Sequence, residues 1–306
     1  MKQSARFALC LLLANLPLST AFATPLMLEP SSDWTLHVQE DNCQLLRKFG
    51  QGQDELTVQF DTRSPAESPS LMLIGEPVSF RGEKTSLKLS MLPGGGSYSW
   101  VDNSVTRGFT PDGKPTLLVT YVPFVDKPDS TKPKHADFHA RRRLVLMPAK
   151  IAAIDSMLVE PALKPPLLLK LGSMAEPYAS LRRCGMNVVR SWGIEPTDTA
   201  QMPETYPSPR RGADSWIAAL PLPRATSQRS DRAEARVRLM VDEQGRPYDC
   251  KINVTMVKAG FVDETCQYLL RNATFDPALS VEQKPVKAWW TTVIRFQMRK
   301  GANVGP

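Results

Sequence analysis

The chain has few of the side chains that carry chemistry. Its 306 residues include three histidines, His37, His135 and His139. No Gly-x-Ser-x-Gly turn is present to lift a serine nucleophile. The triplet Gly94-Gly95-Gly96 follows Pro93, but no Gly-Lys-Ser/Thr follows it, so it reads as a hairpin loop and not a phosphate cradle. Glu55, Asp61 and Glu67 show no paired-carboxylate arrangement. The cysteines do not fall into two close pairs, which a four-thiolate metal site requires. His135-Ala136-Asp137-Phe138-His139 could offer two imidazoles and a carboxylate. Its neighbours are prolines, lysines and arginines, and they argue for a loop. No catalytic residue, metal ligand or cofactor is expected on these grounds, and the reading is of a protein that is not an enzyme. The competing reading is an exported enzyme with its site in the amino-terminal region.

Long apolar runs are also missing. No stretch approaches 18 uninterrupted apolar residues, so no stable membrane span is expected. The amino terminus carries a shorter run, Phe7–Leu16, behind Lys2 and Arg6 and ahead of Ala21-Phe22-Ala23. That order is the pattern of a secretory signal peptide over 1–23, cleaved near Ala23. Cys10 sits inside the run without the small residue that precedes a lipidated cysteine. Cleavage removes two basic residues and leaves 36 against 31 acidic, a mature charge of +5. Basic residues cluster at Lys132–Arg143 and Arg224–Arg238. Such clusters are more often solvated loops than nucleic-acid stripes, and no nucleic-acid partner is expected of an exported chain. The expected location is the periplasm.

Export leaves four cysteines: Cys43, Cys184, Cys250 and Cys266. An even number in an oxidising compartment suggests two disulfides, with three pairings open to the sequence.

The length suggests two domains. Over 24–195 short strand patterns dominate: Trp34–Val38, Glu55–Phe60, Ser70–Ile74, Ser86–Met91, Thr116–Tyr121 and Arg143–Met147. Turn residues such as Pro93-Gly94-Gly95-Gly96 and Pro111-Asp112-Gly113 separate them. Val125–Lys134 is a polar, proline-bearing excursion. Ser173-Met174-Ala175-Glu176 reads as a capping box. Tyr178, Leu181, Gly185, Val188 and Trp192 form one helical stripe behind it, and Gly193 is the stop. Residues 196–232 carry six prolines and read as a linker. Trp216–Leu220 interrupts the linker and could dock on either domain.

The clearest pattern lies in 233–299. Val237, Leu239 and Val241 alternate with Arg236 and Arg238. Tyr248, Cys250, Ile252 and Val254 alternate with Asp249, Lys251 and Asn253. Both are half-buried strands joined by the hairpin Asp242-Glu243-Gln244-Gly245-Arg246. Val262, Cys266, Leu269 and Leu270 then mark one face of a helix. A last strand shows Ala288, Trp290, Ile294, Phe296 and Met298 on one side. The fold class is α+β: a β-rich amino-terminal domain closed by a helix, then a ββαβ unit with a three-stranded antiparallel sheet.

That order resembles the TonB C-terminal domain family. The residues that carry the likeness are Asp242–Arg246, Val262-Asp263 at the helix start, Thr274-Phe275-Asp276-Pro277-Ala278, and Lys284-Pro285-Val286. The early Cys43-Gln44-Leu45 and the late Leu181, Cys184 and Trp192-Gly193 resemble exported proteins with a TonB-like carboxyl domain. In the ββαβ arrangement Cys250 on the second strand faces Cys266 on the helix. That favours Cys250–Cys266, and Cys43–Cys184 follows by elimination. The family implies a binding role in transport at the cell envelope. An extended segment of an outer-membrane or other envelope protein adds to the edge of the last strand. Trp289, Thr291, Val293 and Arg295 on its outward face are the expected contacts, with Trp289 as an exposed anchor and Arg295 setting register. Packing of Trp289 on the segment around Trp216 is the competing expectation, and a homodimer through the same edge is the other use of that strand.

Overall fold

A computed structural model describes residues 24–64, 68–79, 86–101, 105–110, 112–120, 122, 124, 148–160, 165–194, 206–220, 232–254, 259–280 and 282–297. The signal-peptide segment, the strand expected at Arg143–Met147, and the polar stretch with His135 and His139 lie outside the described residues. The fold is mixed α+β, with most of the chain in sheets and four α-helices among the described residues.

Eleven strands come first: β1 (Leu26–Leu28), β2 (Thr35–Val38), β3 (Cys43–Phe49), β4 (Leu56–Thr62), β5 (Ser70–Ile74), β6 (Ser86–Leu92), β7 (Ser97–Val101), β8 (Val105–Phe109), β9 (Pro115–Val119), β10 (Ser156–Glu160) and β11 (Leu167–Lys170). Helix α1 (Pro148–Ala153) precedes β10, and α2 (Ala175–Ser191) follows β11. The strands form a six-stranded sheet, β2-β3-β4-β5-β9-β8, and a five-stranded sheet, β1-β11-β10-β6-β7. Pairing is antiparallel throughout except that β1 runs parallel to β11. Alternation explains the layers. Leu56, Val58 and Phe60 of β4 and Leu71 and Leu73 of β5 point one way, toward apolar residues of the other sheet such as Leu89, Met157 and Leu169, in one core. Each fully buried side chain of this size contributes roughly 1.5–3 kcal/mol.

Helix α2 closes this core. Tyr178, Leu181, Cys184, Gly185, Val188 and Val189 are its buried residues. Tyr178 stacks near Phe124, which stacks near Phe60, with centroids 4.9 and 5.1 Å apart. Burial pushes the Tyr178 phenol well above its usual range. Cys184 is joined to Cys43 of β3. The helix starts differently from the capping-box expectation. Met174 occupies the N-cap without a side-chain cap bond, and Glu176 pairs with Arg183. Ser173 stands one residue before the N-cap, where its Oγ accepts from the Ala175 N–H at 3.4 Å, and Met174 is buried in the core. The C-terminal stop is Gly193, at φ +76°.

Two short elements precede the three-stranded carboxyl-terminal sheet. Strand β12 (Ser208–Pro209) and helix α3 (Asp214–Ile217) sit in the proline-rich stretch expected to be a linker. Trp216 and Leu220 join the apolar cluster of the carboxyl-terminal sheet, so this segment docks there. Then come β13 (Arg232–Val241), β14 (Pro247–Val254), α4 (Ala259–Asn272), the two-residue strands β15 (Phe275–Asp276), β16 (Ala278–Leu279) and β17 (Pro285–Val286), and β18 (Ala288–Gln297). The sheet order is β14-β13-β18, antiparallel. Strand β12 pairs with β15. Helix α4 packs over β14, and Cys250 is bonded to Cys266 across that contact.

The β13–β14 hairpin is fixed by two residues. Asp242 accepts hydrogen bonds from the backbone N–H of Gln244 and Arg246 at 2.9 and 2.8 Å. Partial burial works against its charge, but these bonds and the Arg246 guanidinium outweigh it and hold the carboxyl below the usual aspartate range. Gly245 has φ +80°, and a Cβ there would meet the Phe275 carbonyl oxygen at 1.9 Å.

Candidate functional site at the domain junction

The three-stranded sheet has two faces. Val237, Leu239, Val241, Trp290 and Ile294 belong to the apolar cluster with residues of α4. Arg236, Arg238, Met240, Trp289, Thr291 and Val293 lie on the opposite face, because side chains alternate along a strand. The register pairs Arg236 with Val293, Arg238 with Thr291, and Met240 with Trp289. On an isolated domain this polar and aromatic face would meet water. Here the amino-terminal region covers it.

Trp289 is the clearest case. It is 2% exposed, against the expectation of an exposed anchor. Tyr206 and Trp192 meet its ring edge-on, with centroids 5.2 and 5.6 Å away, and Val189 and Met240 complete the cluster. The competing expectation is corrected too. Trp216 packs on the other face, against Trp290 at 5.3 Å. Thr291 is also buried, and Val293 is half-buried. Arg295 pairs with Glu234 in register, and its side chain lies outside the described residues.

Beside the aromatic cluster is a charged joint. The Arg238 guanidinium lies over the Trp192 ring, 4.5 Å from the centroid. The Trp192 indole N–H donates to Asp41 at 2.9 Å. Arg238 is 3.9 Å from Asp41 and 3.3 Å from Asp249. At the rim, Lys251 donates to Glu40 at 2.7 Å. That bond and the ammonium charge hold the Glu40 carboxyl below its usual range. The loop between β2 and β3, the end of α2 and two strands of the carboxyl-terminal sheet are thus tied by one network.

A polar cavity of about 40 Å³ opens along the same junction. Asp61, Arg63, Ser70 and Thr120 line it from the six-stranded sheet, and Arg236 and Thr291 line it from the carboxyl-terminal sheet. Asp61 is buried and accepts from Asn42 at 3.0 Å and Gln59 at 2.8 Å.

No family model, curated protein or solved structure matches this chain.

Beyond the junction, β18 is a terminal strand of its sheet. It pairs with β13 along all ten residues, and no strand pairs with its other edge among the described residues. Among the described residues no cluster of three or more His, Cys, Asp or Glu could hold a metal, and no helix is long and apolar enough to cross a membrane. His37 lies exposed in β2. Glu55, one of the carboxylates considered for acid–base chemistry, is engaged with Lys48 and Lys114.

Sequence reasoning missed Arg63, Ser70 and Arg236. A signal was present. Gln59, Asp61, Ser70 and Thr120 occupy the outward positions of β4, β5 and the end of β9, where alternation points to water. All four are buried. Asp61, Ser70 and Thr120 share the cavity lining with Arg236 and Thr291 of the carboxyl-terminal sheet.

Proposed function

We propose that this chain is a non-enzymatic binding or scaffold protein of the cell envelope. Its carboxyl-terminal unit captures an extended segment of an outer-membrane or other envelope protein by strand addition along β18. The observation that carries the reading is the edge itself: a ten-residue strand that, among the described residues, is paired on one side only. An unpaired edge of that length invites aggregation unless it is covered or used. Strand addition would satisfy its backbone groups and leave register to the alternating side chains. The TonB-like pattern at Asp242–Arg246, Thr274–Ala278 and Lys284–Val286 adds to this reading, as does the order β13-β14-α4-β18. The contact set differs from the one expected on sequence. Trp289 and Thr291 are committed to the domain junction, and Thr292 and Val293 line its cavity, so backbone groups along the outer edge of β18 carry the contact.

The proposed compartment is the periplasm, with a mature chain beginning near Thr24. Two disulfides fit an oxidising environment.

The test has two steps. A photoreactive residue at position 292 captures the partner in intact cells, and the crosslinked segment is identified. A peptide of that segment is then added to the purified chain, and amide exchange is followed. Protection of every second amide in β18 is expected, because only alternate residues point their N–H toward the new strand. A captured protein whose peptide leaves exchange in β18 unchanged would refute strand addition. Crosslinking between two copies of the chain would assign the edge to a homodimer instead.

A further inference from the structure

We infer that the Cys43–Cys184 disulfide is a redox-controlled latch. Its formation seats the end of α2 and so covers the junction face of the carboxyl-terminal sheet. Nothing in the strand-addition reading requires it. Much of the cover on Trp289 comes from one short stretch of chain. Val189, Trp192 and Ile194 belong to the cluster around Trp289, beside Tyr206 and Met240. All three lie within ten residues of Cys184. Trp192 also packs on the rim of the amino-terminal core, so one side chain touches both clusters. Its hydrogen-bond partner Asp41 stands two residues before Cys43, the other half of the bond. The disulfide and the joint are therefore built on the same two elements, α2 and the β2–β3 hairpin. The Arg238 guanidinium over Trp192 carries the arrangement to the carboxyl-terminal sheet.

The bond acts on the half of α2 that core packing holds least. Tyr178 and Leu181 anchor the first half in the amino-terminal core. Beyond Cys184, Val188 is the buried side chain that joins this core, whereas Val189 belongs to the cluster around Trp289. Trp192 is the C-cap, eight residues past Cys184, which is about 12 Å along a helix. Helix ends held by few contacts open locally. With Cys184 tied to β3, the last turns are already placed, and Trp192 meets Asp41 with little further loss of freedom. In the dithiol form, seating Trp192 must itself order those turns. The chemistry balances with a disulfide as oxidant. Each thiol gives up one proton and one electron, and glutathione disulfide takes both pairs and leaves as two thiols, through a mixed disulfide. The other bond, Cys250–Cys266, joins β14 to α4 on the opposite face of the sheet and does not touch this cover.

The test equilibrates the full mature chain, from the reduced state, in glutathione buffers with a rising share of the disulfide form. Peptide mapping gives the fraction of each bond. A hydroxyl-radical pulse gives the exposure of Trp289 and Met240 on the junction face and of Trp290 on the other. Trp290 is expected to be protected in the most reducing buffer. Protection of Trp289 and Met240 should rise several-fold, in step with Cys43–Cys184 and not with Cys250–Cys266. In Cys43→Ser/Cys184→Ser both residues should stay exposed in every buffer. Coupling is reciprocal, so Trp192→Ala should lower the equilibrium constant for forming Cys43–Cys184 at least about fivefold. It should also leave Trp289 and Met240 exposed once the bond has formed. Trp289 protected before Cys43–Cys184 forms, or protected in step with Cys250–Cys266, would overturn the latch. So would a bond that forms as readily in Trp192→Ala as in the parent chain. Trp289 and Trp290 becoming protected in a single step would also overturn it, because the bond would then serve folding of the whole chain. If Cys43→Ser/Cys184→Ser fails to fold, the titrations of the parent chain and of Trp192→Ala still decide it.

Discussion

The Arg238 guanidinium rests on the Trp192 ring, 4.5 Å from its centroid, with the buried Asp41 carboxylate bonded to the same tryptophan. One residue belongs to the carboxyl-terminal sheet and the other ends the helix that closes the amino-terminal core. The contact joins a cation, an aromatic face and an anion in a place shielded from water. There the cation–π attraction is at the upper end of its range, about 2 kcal/mol.

The joint makes an unequal prediction for two partners of the same arginine. The Arg238 side chain is 6% exposed, whereas Asp249 is 53% exposed. Arg238→Ala removes the cation and leaves Asp41 buried without it, which should cost about 3–5 kcal/mol. Asp249→Ala breaks only an exposed pair and should cost less than about 1 kcal/mol. Urea unfolding of the two variants tests this. Equal midpoints would show that the buried network does not hold the domains together.

Trp289 gives a second prediction, opposite to the one its exposed reading implied. A tryptophan buried under Tyr206, Trp192 and Met240 leaves a large void when truncated. Trp289→Ala should lose about 3–5 kcal/mol of stability. A thermal melt monitored by near-ultraviolet circular dichroism should show a clearly lower midpoint. An unchanged melt would mean that the domains do not pack through this ring, and Trp289 would again be available as an anchor for a partner.

The secondary structure of the carboxyl-terminal unit was legible because its periods are clean. Val237, Leu239 and Val241 count by two, and Cys266, Leu269 and Leu270 lie on one side of a helix, so strand and helix identify themselves. The cysteines, placed on those elements, are bonded as Cys250–Cys266, with Cys43–Cys184 in the other domain. The junction was not legible, for a physical reason. Alternation says which residues share a face, but not what covers it. Trp289 and Thr291 share the outward face, and on a single domain that face is solvent. The burial of Trp289 depends on Tyr206, Trp192 and Val189, and Thr291 lines a cavity with Asp61 and Ser70; these partners are remote in sequence and arrive only when the chain folds. Arg63 and Arg236 are 173 residues apart, and no local pattern links them. The docking of Trp216 needed the same kind of knowledge: the sequence marked an apolar island among prolines, and the fold decided which core received it.

The two disulfides should differ in what they contribute. Cys250–Cys266 spans 16 residues and Cys43–Cys184 spans 141. On the chain-entropy account the first stabilises by about 3 kcal/mol and the second by about 5 kcal/mol. Cys250→Ala/Cys266→Ala and Cys43→Ala/Cys184→Ala double variants, unfolded in urea, measure the difference. The second pair should be the more damaging, and its loss should free α2 from β3. A larger loss from the first pair would show that the carboxyl-terminal core depends on its bond more than chain entropy allows.

The last prediction concerns the β13–β14 hairpin and separates two effects that glycine combines. Gly245 and Gly113 both have positive φ, +80° and +89°. An alanine at either position carries the penalty of the left-handed region, about 1–2 kcal/mol. At Gly113 nothing lies within 4 Å of the added Cβ, so that penalty is the whole cost. At Gly245 the Cβ would stand 1.9 Å from the Phe275 carbonyl oxygen, and the Gly245 carbonyl itself accepts from the Phe275 N–H at 3.0 Å. The loop would have to leave β15, and Phe275 is wholly buried in the carboxyl-terminal core against Trp216 and Trp290. Gly245→Ala should therefore cost more than Gly113→Ala by at least about 1 kcal/mol, the smaller end of what strain in a packed backbone adds. Urea unfolding of both variants gives the comparison, and proteolysis should cut the Gly245 variant first near Thr274. Equal costs would mean that the hairpin does not lean on β15, and that Gly245 is there for its backbone freedom alone.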